Sequence, residues 1–365
     1  MRDSKIVVDA LLRKKPAPRM GLVDFPWGYT VKEWVKQGYP VDEQGNPVDP
    51  TEHFQFDIKG CGGWFDWQPK RGVSDIIEET HDWKLVRNGA GAVMRWWKNK
   101  AGTPEHVDFT MTSRAVWEKE YRPLLLTLDR ERLKEVDETR KRLAKANEVG
   151  CWTYYGHQFI WENMRASMGD VTMFMALIED PEWIHDFCRV YTDFYKTYFR
   201  IMIEESGKPD SIWLHEDLGY RDRLFCSPQT LEELIFPYYK EMVDFFHSYD
   251  LPVVLHSCGF VEPALDLIVK AGFDGLNPME VKAGCDIFRI AEKTGDKLAF
   301  IGGLDARILE SGDRSLIKRE IVRLLQGMKE RGARYVYGSD HSLSTLVPYR
   351  DFQYAVEVYR ENMMY

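Results

Sequence analysis

Cysteine is scarce and scattered in this chain, with six residues in 365 and no Cys-x-x-Cys pair among them. That spacing excludes a disulfide framework, so a reducing cytoplasm is the expected compartment. No apolar run approaches the roughly 18 residues needed to cross a bilayer, so no membrane span is expected. Met1 to Arg19 carries acids and bases around Ile6, Val7, Val8, Leu11 and Leu12, a pattern of an amphipathic helix rather than of a signal peptide. Positive charge is also lacking. The formal net charge is -9 and basic residues are interspersed with acidic ones, which gives nucleic acid no electrostatic footprint. Internal repeats and low-complexity tracts are absent.

What is present is a regular order of short apolar runs and helical patterns from residue 210 onward. The runs are Ser211-Ile212-Trp213-Leu214, Pro252-Val253-Val254-Leu255, Phe273-Asp274-Gly275-Leu276, Leu298-Ala299-Phe300-Ile301 and Arg334-Tyr335-Val336-Tyr337. Between and after them, Ser227 to Tyr249, Val261 to Ala271, Asp313 to Arg331 and Tyr349 to Asn362 read as helices. Ser227-Pro228 has the form of an N-cap followed by a first-turn proline, and Gly272 that of a C-terminal stop. Alternating β and α units of this kind imply a parallel sheet. A chain of this length then fits one large architecture, a single (β/α)8 barrel over residues 1–365.

The N-terminal half is less regular. Met20 to Phe25 reads as a first strand and Thr30 to Gly38 as a helix, with Phe54 to Asp57 a further short strand. From Ser74 to Ser113, alternation around turns at Asn88-Gly89 and Lys100-Ala101-Gly102 implies an antiparallel insertion decorating the barrel. Ser113 to Asn147 reads as helical, Val149 to Gly156 as a strand, and Trp161 to Glu205 as two helices parted near Pro181.

Each of the five later runs ends in residues capable of chemistry: His215-Glu216-Asp217, His256-Ser257-Cys258, Asn277-Pro278-Met279-Glu280, Gly302-Gly303-Leu304-Asp305 and Ser339-Asp340-His341. In such a barrel the carboxyl ends of the strands converge on one mouth. Side chains two apart on a strand share a face, so His256 and Cys258 can close on one ion, and both are good zinc ligands. Acids and serines in βα loops also cap the next helix, a role that fits Asp305 and Ser257. His215 alternates to the face opposite Glu216 and is read as structural. Aromatic residues are abundant (12 Trp, 18 Tyr, 19 Phe), and several near expected loops suit a flat ligand.

Pro26-Trp27-Gly28-Tyr29-Thr30-Val31-Lys32-Glu33-Trp34, Glu216-Asp217 with Ser227-Pro228 and Phe236-Pro237-Tyr238, His256-Ser257-Cys258-Gly259 and Gly302-Gly303-Leu304-Asp305 together resemble the uroporphyrinogen decarboxylase superfamily. The similarity spans nearly the whole chain, and within the superfamily it is greater to the cobamide-dependent methyltransferases than to the tetrapyrrole decarboxylases. The decarboxylases grip a porphyrinogen with an arginine-rich N-terminal motif, where this chain has Phe25-Pro26-Trp27-Gly28-Tyr29. The methyltransferases bind zinc through His-x-Cys and a distant third Cys. His256 and Cys258 match the first part, but Gly338-Ser339-Asp340-His341 stands where the third Cys is expected.

The resemblance therefore implies zinc held by His256, Cys258 and one or two of Glu280, Asp340 and Glu216. A site richer in oxygen and nitrogen ligands leaves zinc more Lewis acidic, which suits polarising an ether oxygen. The implied activity is demethylation of a small methoxylated, aromatic substrate, with the methyl group passed to the Co(I) corrinoid (cobamide) of a partner protein. Asp217 or His341 would donate a proton to the leaving oxygen, and Trp27, Tyr29 and Trp64 would line the ring pocket. A homodimer is compatible with this reading. The alternatives are a metal-free decarboxylase using Asp217, transfer from a methylcorrinoid to a thiol, and a non-catalytic barrel subunit.

Overall fold

A computed structural model describes residues 3–99 and 104–365. Eight strands form one parallel sheet, in the order β1 (Gly21–Leu22), β12 (Tyr335–Tyr337), β11 (Ala299–Ile301), β10 (Gly275–Pro278), β9 (Val253–Ser257), β8 (Ser211–His215), β7 (Trp152–Gln158), β2 (Ile58–Gly60). The two outer strands meet where the Asp57 N–H donates to the Leu22 carbonyl (2.7 Å), and the sheet becomes a nearly closed (β/α)8 barrel. The remaining strands, β3 (Ser74–Glu79), β4 (Trp83–Asn88), β5 (Ala92–Trp97) and β6 (Glu105–Phe109), make the expected antiparallel sheet. The turn expected at Lys100-Ala101-Gly102 lies outside the described residues.

Two apolar clusters hold the fold. One lies between the strands and their surrounding helices. The second fills the barrel itself with Val23, Ile58, Trp152, Trp213, Val254, Ala299, Ile301 and Val336. The helix Ser4–Leu12 closes its floor by inserting Val7, Val8, Leu11 and Leu12, all almost fully buried. Burying such side chains contributes about 1.5–3 kcal/mol each, so the amphipathic N-terminal segment is a stopper for the barrel base.

The expected helix Ser227 to Tyr249 is in fact two, Pro228–Leu234 and Phe236–His247, broken at Ile235. Pro237 lacks an N–H and its ring crowds the preceding turn, which ends the first helix. Ser227 caps that helix through its hydroxyl, which accepts the Thr230 N–H at 3.0 Å, and Gly272 ends another in the left-handed region at φ 92°. The second strand begins at Ile58 rather than at Phe54. Among the described residues no helix is long and apolar enough to cross a membrane.

Candidate metal centre

The interior cluster fixes the phase of each strand. Trp213 and Val254 face into the barrel, so two residues further along His215 and His256 do as well, and the two stand side by side in the β8–β9 register. Past the strand ends, Asp217 and Cys258 continue on the same faces. Among the described residues, only Asp217, His256 and Cys258 bring one metal donor each within 4.8 Å of one another.

The three are held by short contacts. Cys258 Sγ lies 3.4 Å from His256 Nε2, and the Cys258 N–H donates to Asp217 Oδ1 at 2.8 Å. That same Oδ1 is 3.8 Å from His256 Nε2. In a tetrahedral zinc site with Zn–S about 2.3 Å and Zn–N about 2.0 Å, sulfur and nitrogen stand about 3.5 Å apart. The sulfur–nitrogen separation therefore matches a shared ion.

The tautomer of His256 follows from its neighbour. Asn277 is buried and donates from Nδ2 to the Ile301 carbonyl at 2.9 Å, which leaves its Oδ1 facing His256 Nδ1. An amide oxygen only accepts, so Nδ1 carries the proton and the Nε2 lone pair points toward Cys258 and Asp217. This is the second contact that orients ligating histidines in metalloenzymes. Burial pushes the Cys258 thiol far above its usual range, and the Asp217 and Glu280 carboxylates push it further. A thiol so placed ionises when a cation shares the site. Nitrogen, sulfur and carboxylate oxygen are all zinc donors, so the residues fit the ion.

Cys258 opens onto a cavity of about 610 Å³ lined also by Gly219, Tyr220, Arg221, Gly259, Glu280, Lys282 and Ala283. The loops on either side are pressed together: a Cβ on Gly259, whose φ is 79°, would fall 2.2 Å from the Gly219 carbonyl carbon. The Phe260 N–H bonds the Tyr220 carbonyl at 2.7 Å and fixes that approach.

A sequence model of the family described as uroporphyrinogen decarboxylase (URO-D) matches residues 162–362, more than half of the chain. The chain belongs to that family. The segment matched to uroporphyrinogen decarboxylase contains Asp217, His256, Cys258 and Asn277, whereas Trp27, Tyr29 and Trp64 lie before it. Among solved structures, a methyltransferase from Methanosarcina mazei superposes with a TM-score of 0.69 at 18% identity, covering 98% of each chain. That likeness is one of fold. A putative vitamin-B12 independent methionine synthase from Listeria monocytogenes gives a TM-score of 0.43 at 12% identity, covering 95% of this chain and 98% of the other. No curated protein matches.

Several residues expected at the centre are placed elsewhere by the uroporphyrinogen decarboxylase fold. Glu216 points out of the barrel, where Oε1 accepts the Phe159 N–H (2.6 Å) and Oε2 accepts the Trp161 N–H (2.7 Å) and the Tyr239 hydroxyl (2.6 Å). It anchors the start of the helix Ile160–Glu179. Asp340 uses both oxygens on amides of two other loops, Val281 (2.8 Å) and Ala306 (2.9 Å). Glu280 accepts the Gly259 N–H at 2.7 Å and turns its other oxygen to Lys282 at 3.2 Å. Asp24 takes the Ser339 hydroxyl at 2.8 Å. The acidic tails thus form a staple around the mouth, each carboxylate satisfying amides of neighbouring loops that lack strand partners.

Asp217, expected as an acid, is the oxygen that joins His256 and Cys258. His341 is half-buried on the loop after β12, with Nδ1 3.4 Å from the Ser342 carbonyl. Trp27, Tyr29 and Trp64 are 41%, 55% and 42% exposed, and none of them lines the cavity beside Cys258. Two interior residues are missing from the expected site. Asn277 has a visible signal, a lone polar side chain ending an apolar run. His215 reads as structural only when the phase of β8 is taken from Glu216.

Replacing Asn277 by leucine removes the acceptor for His256 Nδ1 and frees the ring to present either nitrogen. Zinc affinity, measured by competition with a chelating dye, is expected to fall about 10–100-fold with the fold intact. An unchanged affinity would mean that the amide does not orient the ligand.

Proposed function

We propose that the chain is a zinc-dependent methyltransferase that demethylates a small methoxylated, aromatic substrate and passes the methyl group to the Co(I) corrinoid of a partner protein. The observation that carries this reading is the Asp217, His256 and Cys258 donor set at the barrel mouth, beside an open cavity. Family membership and the full-length fold likeness to a methyltransferase support it.

His256, Cys258 and Asp217 would hold zinc, and Asn277 keeps the His256 ring turned to it. Bound there, the ion supplies Lewis-acid polarisation of the methoxy oxygen, while the corrinoid supplies the nucleophile. His341, which has no ligand role in this scheme, supplies the proton to the departing oxygen. The acidic staple keeps the mouth loops from spreading as partners come and go. Trp27 and Tyr29, exposed at the start of the helix Gly28–Lys36, and Trp64, exposed on the loop after β2, are available to the face of the corrinoid protein.

The test is to mix the zinc-loaded chain with methoxyarenes and reduced cobalamin and to follow the methylcobalamin absorbance. Growth of that spectrum that disappears on zinc removal is expected. Methylation of a thiol from methylcobalamin, with no reaction of methoxyarenes, would reverse the direction. Decarboxylation of uroporphyrinogen by the metal-free chain would replace the reading altogether.

A further inference from the structure

Asp217 reaches the metal centre from a short hairpin, residues 217–226, in which Gly219 and Leu224 form an antiparallel bridge and the Phe225 N–H donates to the Leu218 carbonyl at 3.1 Å. One side of this hairpin rests on the end of β9 and the loop after it. The Leu218 N–H donates to Ser257 Oγ at 3.0 Å, and Gly219, Tyr220 and Arg221 wall the cavity beside Cys258. The other side faces the helix Ile160–Glu179, where the Phe225 ring lies 6.4 Å from that of Trp161 and 6.0 Å from that of Phe174.

Arg165 gathers the contacts on that second side. Its Nη1 donates to Glu162 Oε1 at 2.8 Å and its Nε to Asp170 Oδ1 at 3.0 Å, while the guanidinium lies 4.6 Å from the centre of the Phe225 ring. Glu162 in turn takes the Asp217 main-chain N–H and stands near enough to the Asp217 carboxylate for the two charges to repel. An arginine and a glutamate three residues apart on an open helix face contribute little. Here the two side chains are only 22% and 26% exposed, and the planar cation also covers a ring of a different loop. The antiparallel sheet supplies the third partner. The helix breaks at Gly169 (φ 72°, ψ 163°), where a Cβ would fall 2.4 Å from the ring of Phe109 on β6, so only glycine allows both the backbone angle and the approach. Asp170, the next residue, is the one that turns back to Arg165.

We infer that Arg165 is a positioning residue for the metal centre: by covering Phe225 and neutralising Glu162 it holds the hairpin so that the Asp217 carboxylate turns to His256 and Cys258. This rests on the reading of those three residues as zinc ligands. His256 and Cys258 share one strand end and need no such help, whereas Asp217 comes from a separate loop. Without Arg165 the Glu162 charge stands unbalanced beside Asp217, and the hairpin keeps only its β9 side. The antiparallel insertion thereby gains a task, since its Phe109 packs at the break that brings Asp170 to the same guanidinium.

The experiment is zinc titration of the full-length chain, by competition with a chelating dye, arranged as a double-mutant cycle. R165M/E162Q removes both members of the ion pair, so no lone carboxylate is left to attract the cation. Relative to wild type it is expected to bind zinc about tenfold more weakly. R165K keeps the charge without the planar face and should lose only about threefold. In an Asp217→Ala background the same changes should alter affinity by less than about twofold, because the residue through which they act is gone. A side chain that only supports the fold would cost the same in both backgrounds, and that equality would overturn the inference, as would wild-type affinity in R165M/E162Q. Should R165M/E162Q fail to fold by circular dichroism, R165K decides by the same comparison: a loss seen only with Asp217 present upholds the inference, and an equal loss or none overturns it. A wild-type chain that binds no zinc would remove the metal centre and this inference together, whereas zinc binding with equal losses in both backgrounds would remove the positioning role alone.

Discussion

Cys258→Ala is expected to strip the purified chain of zinc while leaving the barrel folded. The thiolate is the one soft, anionic donor in the set, and its removal leaves an imidazole and a carboxylate that also serves a backbone amide. Loss of one of three protein ligands should weaken binding by at least about a thousandfold, roughly 4 kcal/mol. The side chain is small and lies at the mouth rather than in the apolar core, so the unfolding midpoint of the metal-free protein should change little. Asp217→Asn, which keeps an oxygen but removes its charge, should cost less, about 10–100-fold. The check is metal analysis after dialysis against a chelator, paired with thermal unfolding. Full zinc occupancy in Cys258→Ala would remove sulfur from the account.

Glu216→Ala is expected to do the reverse: destabilise strongly and leave zinc in place. The carboxylate is wholly buried and accepts the Phe159 and Trp161 amides and the Tyr239 hydroxyl. Deleting it orphans three buried donors at the start of a helix that packs on the barrel, at about 1–3 kcal/mol apiece before relaxation. A net loss of about 3–5 kcal/mol follows, enough to lower the melting temperature of a chain this long by about 4–6 °C. Glu216→Gln retains one acceptor and should lose less. Zinc stoichiometry in both variants should equal that of wild type. Zinc loss without destabilisation would place Glu216 back among the ligands and reverse the orientation of β8.

The contrast between neighbouring Glu216 and Asp217 shows why the site is only half legible in the sequence. Strands β8 to β12 are readable because a parallel strand buried on both faces is a continuous apolar run. That same property hides the phase: Trp213 and Leu214 are equally apolar, and nothing in the sequence says which one enters the barrel. Only the filled interior, with Trp213 among its residues, decides that His215 and Asp217 face the mouth and Glu216 does not. His256 and Cys258 escape the ambiguity because either phase keeps them together.

The remaining acids are misplaced for another reason. Glu280 and Asp340 stand at strand ends, where a ligand and a staple to a neighbouring loop require the same residue in the same place. Which one forms depends on whether amides such as those of Gly259, Val281 and Ala306 come within reach. That is a property of packed loops, not of local sequence. Pro237, by contrast, is a legible signal: it breaks the long helix expected from Ser227, as its missing N–H requires.

Zinc K-edge X-ray absorption on the zinc-loaded wild-type chain tests the central claim most directly. One sulfur neighbour at about 2.3 Å with nitrogen and oxygen neighbours at about 2.0–2.1 Å is expected, the sulfur shell vanishing in Cys258→Ser. A stoichiometric site with only oxygen and nitrogen around the ion, or a chain that retains no zinc, would contradict it.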